Sequence, residues 1–121
     1  MKRSRLQAMY LKPAIREKNA EGTLTIYYGT AVPFVGEWWP AGGKLQAELY
    51  GQRLPYIRNV RVEGDYKEIV EVDGRPGYRF ANFTIHEGDG ICLNCASHDG
   101  PDYRIVAITP HKPILMELER I

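Results

Sequence analysis

The sequence is short of several things, and each shortage excludes a class. It holds only two cysteines, too few for a disulfide framework. No apolar run approaches the ~20 residues that a membrane helix needs. The charged N-terminus is not followed by the apolar core and small-residue cleavage site of a signal peptide. These features point to an intracellular chain with reduced thiols, in which the sequon Asn82-Phe83-Thr84 stays idle. Net charge is only +1, so no global field draws the chain to a polyanion or a membrane. There is no internal repeat, no low-complexity stretch and no linker, and 121 residues suit one domain with its own core.

What is present is turn chemistry, with 12 glycines and 8 prolines separating short β-branched and aromatic runs. That spacing predicts a mainly β fold, a small barrel or sandwich-like barrel spanning residues 1–121. Leu24, Ile26 and Tyr28 alternate with Thr23, Thr25 and Tyr27. Asn19-Ala20-Glu21-Gly22 forms a hairpin loop back from a first strand at Met9–Arg16, which Pro13 demotes to an edge or a bulge. Further strands are expected at Tyr56–Val62, Lys67–Val72, Tyr78–Ile85, Gly90–Asn94, Tyr103–Thr109 and Ile114–Arg120. One segment reads as helix. Lys44–Tyr50 sets Leu45 and Leu49 four apart between Gly43 and Gly51. Residues 1–8 form a basic arm, and Lys2, Arg3, Arg5, Lys12, Arg16 and Lys18 face Glu17 alone among the first eighteen residues.

Candidate chemistry falls short at every point. Cys92-x-x-Cys95-x-x-His98 offers three zinc ligands, and His86 or His111 a fourth, but a structural site needs two clear ligand pairs. Cys92 stands between Ile91 and Leu93, where a thiol acts as a small apolar group. The pair does not follow a strand and open a helix, as a thioredoxin-type motif would. Ser97-His98-Asp99 holds the letters of a hydrolase triad, yet three consecutive side chains cannot converge as a triad must. Gly43-Lys44 has Trp38 where a phosphate loop needs its first glycine and Leu45 where it needs Ser or Thr. The run His86-Glu87-Gly88-Asp89-Gly90 reads as a tight turn. The expectation is a protein with no catalytic, cofactor-binding or metal-ligating residues.

The aromatics carry more. Tyr27, Tyr28, Phe34, Trp38 and Trp39 crowd into residues 27–39, and with Lys2, Arg3 and Arg5 they suggest a stacking platform for single-stranded nucleic acid. No Lys or Arg is interleaved among them, which favours core and interface roles. In an extended, loop-like Glu37-Trp38-Trp39-Pro40 the two tryptophans point opposite ways, leaving one as an exposed docking anchor.

The order of these signals resembles the head-closure (stopper) or head–tail connector proteins of long-tailed bacteriophages. The resemblance covers roughly residues 20–121. It runs through Glu37-Trp38-Trp39-Pro40, the helical Lys44-Leu45-Gln46-Ala47-Glu48-Leu49-Tyr50-Gly51, the turn Ile85-His86-Glu87-Gly88-Asp89-Gly90-Ile91, the strand Tyr103–Val106 and a final apolar strand. The Asp73–Gly77 and Cys95–Pro101 loops and the N-terminus do not align. The resemblance implies a non-enzymatic β-barrel ring subunit with no cofactor and no small-molecule substrate. Such a subunit is added to the portal and adaptor rings after DNA packaging and meets tail-completion proteins. It is found in the host cytoplasm during assembly and then in the virion. Interface anchors would be Trp38 or Trp39 with Tyr50 and Tyr56, while Lys2, Arg3 and Arg5 would contact a neighbour or packaged DNA. Two other readings stay open: a nucleic-acid-binding β-barrel, and a small metal-binding or nucleotide-sequestering protein centred on Cys92, Cys95 and His98.

Overall fold

A computed structural model describes residues 6–96 and 98–121. Its strands are β1 (Gln7–Lys12), β2 (Ala14–Lys18), β3 (Leu24–Tyr28), β4 (Val32–Pro40), β5 (Ile57–Val62), β6 (Lys67–Val70), β7 (Pro76–Arg79), β8 (Thr84–Ile85), β9 (Gly90–Cys92), β10 (Tyr103–Thr109) and β11 (Ile114–Arg120). One α-helix, α1 (Lys44–Tyr50), runs into a 3-10 turn over Gly51–Tyr56.

Six strands close a barrel in the order β1-β4-β5-β11-β10-β9, with every pairing antiparallel. Closure leaves the barrel no free edge. The mainly β barrel with one short helix is therefore the observed fold. Alternation places Met9, Leu11, Phe34, Val60, Val62, Ile91, Tyr103, Ile105, Ile114, Met116 and Leu118 in one buried cluster. Each such apolar side chain contributes about 1.5–3 kcal/mol by leaving water. Leu115, Glu117 and Glu119 face outward, as the pattern of the last strand predicts.

The remaining elements are excursions from the barrel. The β2–β3 hairpin leaves between β1 and β4 and pairs with nothing else. Pro13 ends β1 because it cannot donate to a ladder, so the single strand expected over Met9–Arg16 is two. Gln7 and Ala8, placed in the arm expected over residues 1–8, belong to β1, and residues 1–5 of that arm lie outside the described residues. The expected strand over Tyr78–Ile85 is also two, because Phe80 N–H bonds the Phe83 carbonyl and turns the chain between β7 and β8. Sheet β6-β7-β8 brings an aromatic stack to the core. Phe83 lies 5.4 Å from Phe34 and 4.8 Å from Phe80, and Phe80 lies 5.5 Å from Tyr66.

Helix α1 lies on the outer wall over β5 and β11, where Gln46 Nε2 donates to Asn59 Oδ1 at 2.6 Å and Glu117 Oε2 at 3.3 Å. None of its residues is buried. After β9, residues 93–96 and 98–102 are held by bonds to side chains. The Lys12 ammonium donates to the Asp99 carbonyl, and Leu93 and Asn94 N–H each donate to one Asp102 oxygen at 2.9 Å.

Candidate interface surfaces

Trp38 and Trp39 lie within strand β4 rather than in a loop, and both are half-buried, so the expectation of one exposed tryptophan is corrected. Alternation does send them opposite ways. Trp38 pairs with Val60 on the inward face, under the Arg58 guanidinium at 5.9 Å, and donates from Nε1 to Gln7 Oε1 at 2.8 Å. Arg58 also lies 5.9 Å over Tyr103, so a cation closes this end of the barrel between two aromatic rings. Trp39 faces outward with Arg61 over its ring at 5.0 Å. Phe34 is buried in the core. The aromatics of residues 27–39 therefore share no single stacking face.

Tyr50 precedes the 3-10 turn and Tyr56 ends it, and Tyr56 is exposed while Tyr50 is half-buried. Burial, then the Glu117 carboxylate beside it, push the Tyr50 hydroxyl well above its ordinary range. Arg53 Nε donates to Glu119 Oε2 at 2.6 Å and Arg104 Nη2 to Oε1 at 3.2 Å, which holds the Glu119 carboxyl below its usual value. Arg53, Glu119 and Arg104 tie the 3-10 turn to β10 and β11. Lys2, Arg3 and Arg5 lie outside the described residues.

The β2–β3 hairpin is the surface that sequence reasoning left unassigned. Its paired positions put Arg16, Lys18, Leu24 and Ile26 on one face and Ile15, Glu17, Thr25 and Tyr27 on the other. Nearly all of these side chains are exposed. A two-stranded ribbon is marginal by itself in water. The alternation of residues 23–28 was the available signal, but it reads equally as a half-buried strand.

At the root of the hairpin sits a buried carboxylate. Asp89 is 1% exposed and accepts from Ala14 N–H and His86 N–H, both at 2.9 Å. His86 Nδ1 stands 3.4 Å from Asp89 Oδ2, and its Nε2 stands 2.7 Å from Glu71 Oε1. Burial pushes the Asp89 carboxyl up, against the pull of the two N–H groups and His86. The tight turn expected at residues 86–90 thus fastens β2, β8 and β9 to one side chain.

Cys92 and Cys95 are joined as a disulfide, which corrects the expectation of free thiols. The chain bends after β9 and brings their Cα atoms to 5.2 Å, within bridging range. Asp102 lies beside them, and one ligand atom from each of the three falls within 4.8 Å of the others. Joined sulfurs cannot serve as thiolate ligands, and His98 points to solvent near Asp99 rather than to the pair. A bridge closing so short a ring stabilises by about 2 kcal/mol at most. Alkylation without reductant should therefore label no cysteine, and label both after reduction, with the barrel still folded by circular dichroism. Labelling of the unreduced protein would contradict the bridge.

Among the described residues no helix is long and apolar enough to cross a membrane. Comparison with protein-family models, with curated proteins and with solved structures yields no match for this chain.

Proposed function

We propose that this protein is a virion structural subunit at the head–tail interface of a long-tailed bacteriophage, a non-enzymatic ring component that closes the capsid after DNA packaging and receives the tail. The resemblance in the order of motifs motivates the reading, and one structural observation supports it. The barrel has no free edge, while large apolar side chains stand exposed on appendages: Leu24 and Ile26 on the hairpin, Leu45 and Leu49 on α1. Exposed apolar groups grouped in this way are what an assembly subunit needs. The isolated protein is monomeric or weakly associating, because each appendage is small, and its ring forms on the preformed connector.

Retention of the purified protein on immobilised portal and adaptor rings of the same virion tests the reading. Wild-type protein should be retained, and Trp39→Ala should weaken retention by about 2 kcal/mol, roughly thirtyfold, while leaving the fold intact. Tyr56→Ala should act in the same direction. Trp38→Ala should also lower the melting temperature, because it removes the Gln7 hydrogen bond and uncovers Arg58. Failure of wild-type protein to bind these rings would refute the proposal.

A further inference from the structure

We infer that the β2–β3 hairpin of one copy docks on helix α1 of a second copy, so that subunits join head to tail. The inference rests on the ring-subunit reading and specifies the surfaces that would make the ring. Leu24 and Ile26 are each 51% exposed, and Leu45 and Leu49 are 79% and 66% exposed. The two pairs match in spacing. Residues two apart on a strand are separated by about 6.7 Å, and residues one helical turn apart by about 6 Å.

The charges match as well. Lys18 stands directly across from Leu24, and Arg16 across from Ile26, so the apolar pair is edged by cations. On the helix Glu48 adjoins Leu49 and stands one turn after Lys44 and Leu45. Among the described residues neither Lys18 nor Glu48 has an ion-pair partner within its own chain. Two hairpins facing one another would set Arg16 and Lys18 against themselves. Like charges so placed are disfavoured, whereas hairpin against helix brings opposite signs together.

Geometry then dictates the type of assembly. The hairpin leaves the barrel at the strand ends Lys12 and Val32, whereas α1 follows the opposite end of β4 at Pro40. Each copy therefore carries two different complementary patches. A contact between unlike patches is heterologous and propagates into a ring or an open chain, whereas a self-complementary contact stops at a dimer.

Cysteine crosslinking of the full chain tests this. Ile26→Cys and Leu45→Cys replace exposed side chains, and the native cysteines are already paired, so a short bismaleimide joins only the introduced thiols. A mixture of the two variants should give about tenfold more crosslinked dimer than either alone. The chain carrying both substitutions should give a ladder of higher oligomers. Adding Glu48→Lys to the helix variant should abolish the gain, and adding Lys18→Glu to the hairpin variant should restore it. Equal dimer from Ile26→Cys alone would show a self-complementary contact and overturn the inference. So would a mixture that reacts no better than Thr25→Cys, on the opposite face of the hairpin, paired with Leu45→Cys. Retention on portal rings is read separately, so lost crosslinking with intact retention refutes the docking alone, and the reverse refutes the head–tail reading alone.

Discussion

Gly36→Val should destabilise the barrel by about 3 kcal/mol or more, a large part of the 5–15 kcal/mol that holds a domain of this kind together. Gly36 is buried in β4, opposite Gln7 of β1 and Val62 of β5. A Cβ placed there would come within 2.5 Å of the Arg61 carbonyl oxygen and 3.3 Å of Met9 Cε. The oxygen belongs to backbone inside a closed ladder, so it cannot yield without breaking the β4–β5 pairing. Met9 is itself buried in the core, so its methyl cannot swing into solvent. Gly36→Ala should show the same effect at smaller size. Urea unfolding followed by circular dichroism reads both, and an unchanged midpoint for Gly36→Val would mean that β4 and β5 do not approach as described.

Asp89→Ala should cost about 3 kcal/mol, since it strands the buried N–H groups of Ala14 and His86 and removes the carboxylate facing His86. Asp89→Asn should cost less, because the amide oxygen keeps one acceptor for these N–H groups where alanine keeps none. The pH dependence separates this site from other carboxylates. Burial raises the Asp89 carboxyl above its ordinary 3.8 in the fold. The folded state therefore holds this proton more tightly than the unfolded chain does. Its contribution to stability is full below 3.8 and is lost as pH rises through the raised value. Glu119 behaves oppositely. Arg53 holds its carboxyl below the ordinary 4.5, so its contribution is present above that value and is lost as pH falls through the lowered one. In the wild type the two oppose each other on acidification. In Asp89→Asn only the Glu119 type of response remains, so stability should fall more steeply between neutral pH and pH about 4. Equal slopes for the two proteins in denaturant titrations at a series of pH values would remove the assigned role of Asp89.

Both positions show how far one-dimensional reading reaches. Strands β10 and β11 and helix α1 were legible to the residue, since period-two alternation and flanking turn glycines are local properties. Where local signals were ambiguous, boundaries moved. Met9–Arg16 reads as one strand interrupted at Pro13, yet its halves serve the barrel and the hairpin separately. Glu37–Pro40 carries a terminal proline and reads as loop, but pairing with β5 keeps it extended. The pair of tryptophans was correctly divided between two faces, and arginines contributed by β5 half-cover both rings. No spacing rule near Trp38 or Trp39 announces Arg58 or Arg61.

By itself the sequence determined the mainly β class, the turn positions, the single helix and the outward face of the last strand. Each follows from residues within a few positions of one another. Tertiary structure alone decided that six strands close into a barrel, because closure depends on β1 meeting both β4 and β9, far apart in the chain. It also decided that the turn residue Asp89 is a buried anchor, and that Cys92 and Cys95 bridge. Finally, it left the hairpin without a partner sheet, although its alternation reads the same as that of a core strand. Burial is a property of what lies across a face, and that neighbour is supplied by distant segments of the chain or by a second molecule.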